Sequence, residues 1–248
     1  MAGLLENKVV LLVGASTGIG ADAARVFAEE GASVMLAARS ADSLEKLATE
    51  LQDAGFDADF VAADVSSAAE VAHMVDATVE RFGRLDGAFN NAGITQSGLL
   101  HEVSEEDFDR IMAVNVKGVW LCLREQLRVM RAAGRGAIVT TSSVGGFKGS
   151  SGFGAYQATK HAVIGLSRTA AHDNGPAGIR VNVVAPGPVD TPMIRKMPPE
   201  MLQQRIDAMP LRKIATGTDV GNAAAWLLSD RAGHISGAVL PVEGGFSA

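Results

Sequence analysis

The stretch Lys8-Val-Val-Leu-Leu-Val-Gly14-Ala-Ser16-Thr17-Gly18-Ile19-Gly20 decides the fold. The short apolar run Val9–Val13 reads as a buried strand, three glycines follow it, and a helical pattern opens at Ile19. The same unit recurs down the chain. Apolar runs at Ser33–Ala37, Phe60–Ala62, Gly87–Asn90, Ala137–Thr141, Arg180–Val184 and Val239–Val242 predict further strands. Amphipathic segments at Ile19–Glu30, Ser43–Ala54, Ala68–Phe82, Asp107–Ala132, Tyr156–Asp173 and Asp219–Leu228 predict helices between them. Such alternation forces parallel pairing through helical crossovers, so the expected fold class is α/β: a doubly wound parallel sheet, in a single domain over 1–248.

Local signals support the boundaries. Ser104 stands three residues before Asp107, which predicts an N-cap with an acidic first turn, and Asn174-Gly175-Pro176 stops the helix before it. No linker or repeat divides the chain. Its one long irregular stretch runs from Pro186 to Gly217 and holds Pro188, Pro192, Pro198, Pro199 and Pro210. Loops of that length in compact domains are usually functional. Its prolines and its methionines Met193, Met197, Met201 and Met209 fit a mobile lid, Pro188 to Met209, over an apolar pocket; packing of a short helix is the other reading of the methionines.

Composition removes several classes of function. Of 248 residues, 47% are hydrophobic and 20% charged, which excludes a disordered or fibrous chain. Twenty-two basic against 28 acidic residues leave a net charge of −6, which argues against nucleic acid or an anionic membrane as partner. The single cysteine, Cys122, reads as core packing, and the five histidines form no ligand spacing, so no metal is expected. With neither a signal-like N-terminus nor an apolar run of about 18 residues, the chain is expected to be cytoplasmic.

Glycines between a strand and a helix serve a definite purpose. They let the backbone turn tightly and approach a pyrophosphate, whose charge is stabilised by free N–H groups at the helix N-terminus. A plain strand-turn-helix junction is the bland reading, but the motif opens a series of alternating elements, as dinucleotide binding requires. The adenosine is read at the end of the second strand. An NAD site wants an acid there; this chain has Ala38 followed by Arg39, whose guanidinium can pair with a 2′-phosphate, so NADP(H) is preferred and NAD(H) remains possible. A surface arginine at a strand end is the alternative.

With Gly14-x-x-x-Gly18-x-Gly20, Asn90-Asn91-Ala92-Gly93 and Tyr156-x-x-x-Lys160, the chain resembles the short-chain dehydrogenase/reductases, in their short single-domain branch. The resemblance implies a Rossmann fold, with a cofactor part at roughly 1–150 and a catalytic and substrate part at roughly 140–248. It assigns Gly14, Ser16, Thr17, Gly18, Ile19 and Gly20 to the cofactor's phosphates, Asp64 and Val65 to the adenine, and Asn91, Ala92 and Gly93 to the cleft wall. Pro186, Gly187, Val189 and Thr191 belong to the nicotinamide loop, and Tyr156 and Lys160 also touch the cofactor. A homotetramer in which the helices Asp107–Ala132 and Tyr156–Asp173 pack across a two-fold axis is implied by the family alone.

The chemistry can be followed residue by residue. Hydride transfer to a carbonyl leaves an alkoxide that needs a proton, and Tyr156 is the candidate donor. A phenol has a pKa near 10, so work near pH 7 calls for a lowering of about 3 units, which the ammonium of Lys160, one helical turn on, can help to supply. Ser143 lies 13 residues before Tyr156, just past a strand, where its hydroxyl can donate to the oxyanion. Ser142 is easily confused with it and reads as a backbone-bonding neighbour. Asn115, inside a predicted helix, reads by itself as a tolerated polar residue. The resemblance makes it a helix interruption that holds a water connecting Lys160 to solvent.

Three functions remain open at this level. One is an NADP(H)-dependent oxidoreductase acting on a ketone or secondary alcohol. The second is a 3-oxoacyl-(acyl-carrier-protein) reductase, for which Arg124, Arg128, Arg131 and Arg135 offer a basic stripe, although Ala177 stands where carrier-dependent relatives often have a basic residue. The third, a catalytically silent dinucleotide-binding regulator, sits poorly with the presence of Asn115, Ser143, Tyr156 and Lys160.

Overall fold

Strands with every residue apolar form only where both faces are covered, and the first strand shows this directly. In the computed structural model, which describes residues 2–192, 194–196 and 198–248, all five residues of β1 (Val9–Val13) are buried. Side chains alternate across a strand, so Val10 and Leu12 enter one core and Leu11 and Val13 the other. The remaining strands are β2 (Ser33–Ala38), β3 (Ala58–Ala62), β4 (Gly87–Asn90), β5 (Gly136–Thr141), β6 (Ile179–Pro186) and β7 (Val239–Val242). They form one parallel sheet in the order β3-β2-β1-β4-β5-β6-β7. The doubly wound α/β fold expected from the sequence is the one observed.

Helices α1 (Ile19–Glu29), α2 (Ala41–Asp53) and α8 (Gly217–Leu228) cover one face; α3 (Ala68–Phe82), α5 (Gly118–Ala133) and α6 (Gly154–Asn174) cover the other. Strand order reverses between β1 and β4, whose registered pair Val13–Asn90 places both strand ends side by side. A ligand crevice belongs at that switch point.

The structure corrects the expected elements in two places. The single helix expected over Asp107–Ala132 is α4 (Glu105–Met112), a π-turn over Ala113–Lys117, and α5. Ser104 caps α4, accepting from Asp107 N at 3.1 Å. The stretch Pro186–Gly217 is not irregular throughout: α7 spans Pro199–Asp207, with proline in its first turn, where no backbone N–H is needed, and Glu200 near its positive end. Met193 and Met197 lie outside the described residues. Met209 is buried, which makes it core, whereas Met201 is exposed. No described helix is long and apolar enough to cross a membrane.

Candidate active site

A cavity of about 930 Å³ opens along the carboxyl ends of the strands, at the switch point. Its adenosine and phosphate end is built by β1 and β2. Gly14, at φ +90°, presses against the backbone of Ala92, where a Cβ would come within 2.5 Å of the Ala92 nitrogen. Gly18, at φ +56°, caps α1 with no side-chain hydrogen bond, so the first-turn N–H groups there are free of a side-chain cap and a phosphate fits. Gly20 does not line the cavity; a Cβ on it would collide with the Gly14 carbonyl, so its role is packing.

Arg39 is exposed at the cleft edge and forms no ion pair among the described residues. Asp64 is held below the usual carboxylate range, chiefly by the Ser66 N–H and hydroxyl, with Arg39 adding to it. Ser66 N and Oγ both donate to Asp64 Oδ1, at 2.8 and 2.7 Å, which leaves Oδ2 without a described partner. Val65 lines the cavity beside it.

Asn91 braces the wall: its Nδ2 donates to the Gly14 carbonyl at 3.2 Å and its Oδ1 accepts from Thr141 Oγ1 at 3.1 Å. Ala92 and Gly93 continue that wall. Across the cleft, the loop from Pro186 and Gly187 is fixed to β7 by Gly187 N donating to the Val242 carbonyl at 3.1 Å. Val189 is buried, and Thr191 reaches over the glycine turn to within van der Waals distance of Gly18.

Ser143, Tyr156 and Lys160 face the cavity together. Ser143 follows β5 in extended backbone and accepts from Gly145 N at 3.1 Å. Tyr156 and Lys160 stand one turn apart in the first turns of α6. Lys160 is buried; its Nζ donates to the Thr141 carbonyl at 3.0 Å, and burial pushes its pKa down to about 8. The ammonium lies 5.6 Å from the Tyr156 ring centroid.

Tyr156 departs from expectation. Burial raises its pKa, and the nearby Ser143 hydroxyl offsets only part of that rise. The Lys160 ammonium, which donates to the Thr141 carbonyl, does not reverse that rise in this state. The phenol of this state is a neutral acid.

Asn115 does not line the cavity. It lies in the π-turn, almost fully buried, and its amide clamps Ile94: Oδ1 accepts from Ile94 N at 2.8 Å, and Nδ2 donates to Ile94 O at 2.9 Å and to Thr159 Oγ1 at 3.1 Å. Both amide hydrogens are committed to protein. A water held at this turn could therefore only donate to the Asn115 side chain, not accept from it. Ser142 donates to the Lys160 carbonyl at 2.8 Å, as a backbone-bonding neighbour should.

Sequence reasoning missed the far end of the cavity, formed by Lys148, Phe153, Gln157, Arg205 and Phe246, with Met201 at its edge. These residues come from four separate segments and carry no shared spacing. Cys122 is buried, with its thiol pushed up to about 12 by burial, consistent with packing. Among the described residues, no group of three or more His, Cys, Asp or Glu could hold a metal.

Residues 14–247 match the family model adh_short_C2, described as "Enoyl-(Acyl carrier protein) reductase". The chain is 41% identical over 253 residues to the A-factor type gamma-butyrolactone 1′-reductase (1S-forming) of Streptomyces virginiae, covering 99% of this chain and 97% of that protein. It is 37% identical over 240 residues to a 3-oxoacyl-(acyl-carrier-protein) reductase of Staphylococcus epidermidis, covering 96% and 98%. The crystal structure of levodione reductase superposes with a TM-score of 0.92 at 36% identity, over 97% of this chain and 98% of that one.

Proposed function

The chain belongs to the short-chain dehydrogenase/reductase family, and from that premise we propose that it is an NADPH-dependent reductase of a small-molecule ketone, reversible toward the secondary alcohol. The observation that carries the reading is the meeting of Ser143, Tyr156 and Lys160 in the cavity that the glycine turn opens. The cofactor's contribution, when bound, is a hydride.

The chain's own groups do the rest. Tyr156, a neutral phenol, gives its proton to the substrate oxygen as negative charge develops there. The Ser143 hydroxyl donates a hydrogen bond to the same oxygen and fixes its distance from Tyr156. Lys160, still mostly cationic at pH 7 with a pKa of about 8, supplies positive charge behind the phenol as it becomes phenolate. Asn115 positions this group by tying the cleft-wall segment at Ile94 to α6 through Thr159. The cofactor part at roughly 1–150 and the catalytic part at roughly 140–248 meet at Ser143.

Preference for NADP(H) is supported by Arg39, which stands at the adenosine end and forms no ion pair among the described residues. The carrier-protein alternative has weaker support. Arg124 and Arg128 both pair with Glu125, Arg128 also with Asp76, Arg131 donates to Asn174, and Arg135 lies 3.7 Å from Asp86. The stripe is largely neutralised. Rates with purified protein, a panel of ketones, and NADPH or NADH test the proposal; it expects NADPH-dependent turnover of small ketones, and turnover of acyl thioesters alone would overturn it.

A further inference from the structure

The cavity is divided by charge. Arg39 and Asp64, one charge of each sign, line its adenosine end without an ion pair between them. Among the described residues, every other charged side chain on the lining is a cation: Lys160 beside Tyr156, then Lys148 and Arg205. Lys148 follows the short turn Val144–Gly146, and Arg205 stands in the last turn of α7. These segments border the end of the cavity away from the glycine turn.

Both side chains are half-buried, and neither meets a carboxylate within ion-pair distance among the described residues. Arg25, Arg81, Arg84, Arg128 and Arg195 each reach a carboxylate at 2.6–2.9 Å. Lys148 Nζ instead lies 4.0 Å from the Phe246 ring centroid and donates to the Phe246 carbonyl at 3.4 Å; Arg205 lies over the Phe153 ring at 5.9 Å. Glu243, three residues before Phe246, accepts from Ser247 N at 2.6 Å and forms no ion pair with either cation. Two cations held against aromatic faces lose part of their hydration, which suits them to an incoming anion. The rings and Met201 offer apolar surface for the body that carries it.

We propose that the substrate is a ketone whose apolar body bears a carboxylate, and that Lys148 and Arg205 take this carboxylate while the carbonyl faces Ser143 and Tyr156. The phosphates of a dinucleotide do not satisfy these cations, since the glycine turn and Arg39 lie at the other end. The inference rests on the reductase reading given above. It adds a chemical class to the substrate and two residues that select it.

Steady-state rates on 4-oxocyclohexanecarboxylate and its neutral isostere 4-oxocyclohexanecarboxamide test it, with NADPH. The unmodified protein should favour the acid by at least about 10-fold in kcat/KM, with the preference shrinking as salt is raised. In Lys148→Met/Arg205→Met the acid-to-amide ratio should fall to within about 2-fold of unity, mostly through KM for the acid, and Arg205→Lys should restore part of it. Equal use of acid and amide by the unmodified protein overturns the proposal and leaves the reductase reading standing. Calorimetric titration of cyclohexanecarboxylate into the protein with NADP+ separates the two readings. Binding that the double variant abolishes, in a protein that reduces no ketone, would leave the anion site and remove the reductase reading; absence of binding overturns the anion site. Preference for acetoacetyl-CoA over its N-acetylcysteamine thioester, lost in the same double variant, would give the pair to a phosphate and overturn the carboxylate.

Discussion

Lys160→Met should make the protein more stable while removing its activity. The lysine is buried with a pKa lowered from 10.5 to about 8, and no carboxylate accompanies it; its Nζ donates only to the Thr141 carbonyl. A base whose folded pKa is lowered binds its proton less well in the folded state, so the charged form penalises folding at every pH below the folded value. Here that penalty is about 3 kcal/mol, at about 1.4 kcal/mol per pH unit. Methionine replaces the aliphatic stem and removes the charge, but leaves the Thr141 carbonyl unpaired at a cost of about 1–2 kcal/mol. The net gain at pH 7 is about 1–2 kcal/mol, or a rise in Tm of about 2–8 °C for a chain of this size. Between pH 8 and 10.5 the lysine of the folded protein is neutral anyway, so the advantage should shrink and change sign toward the upper end. Urea unfolding of cofactor-free protein at pH 7, 9 and 10, variant against unmodified chain, measures this. A variant less stable at pH 7, or a difference that does not move with pH, would refute the reasoning.

Tyr156→Phe removes only a hydroxyl and should leave folding and NADPH binding in place while turnover falls at least about 10²-fold; a folded variant that still turns over refutes the proton-donor role. Arg39→Ala should raise KM for NADPH far more than for NADH, by about 10-fold or more if a charge-assisted contact to phosphate is lost; equal effects on the two cofactors would remove the arginine from cofactor choice. Arg180 donates to the Leu227 and Ser229 carbonyls at 2.7 and 3.0 Å, where α8 ends, so Arg180→Met should cost about 2–3 kcal/mol by urea midpoint and leave the Kd for NADPH unchanged. Trp120, 45% exposed beside an apolar hollow lined by Met112, Val116 and Leu166, belongs to the face expected to join subunits; Trp120→Glu should reduce the mass measured by light scattering, and a monomer before mutation would exclude the tetramer.

The fold was legible because its signals are local. Val9–Val13 buries all five residues, and Ser104 and Asn174-Gly175-Pro176 mark helix ends through hydrogen bonds made within a turn. The break at Asn115 has a different origin. The residues Val114-Asn115-Val116 do not by themselves announce a π-turn, and only the family resemblance implied an interruption there; the clamp from the Asn115 amide to Ile94 and Thr159 joins segments 21 and 44 residues distant. The α7 helix was hidden by Pro198-Pro199, which reads as loop until the second proline is placed in a first turn, where it breaks nothing.

Charge was the least legible property of the site. By spacing alone, Lys160 is placed to lower the pKa of Tyr156, but spacing carries no information about solvent. In the folded chain burial opposes ionisation of both groups, and the lysine donates to the Thr141 carbonyl. A neutral phenol beside a cation still able to deprotonate near pH 8 is arranged to give a proton away, which favours reduction near neutral pH; oxidation of the alcohol requires phenolate and should gain on reduction as pH rises. The pH profile of the oxidative kcat/KM across pH 6 to 10 measures this: a phenol of raised pKa predicts a rise that continues toward pH 10. A plateau already reached near neutral pH would mean that cofactor binding brings the ammonium onto the phenol oxygen and restores the lowered pKa that the sequence spacing suggests.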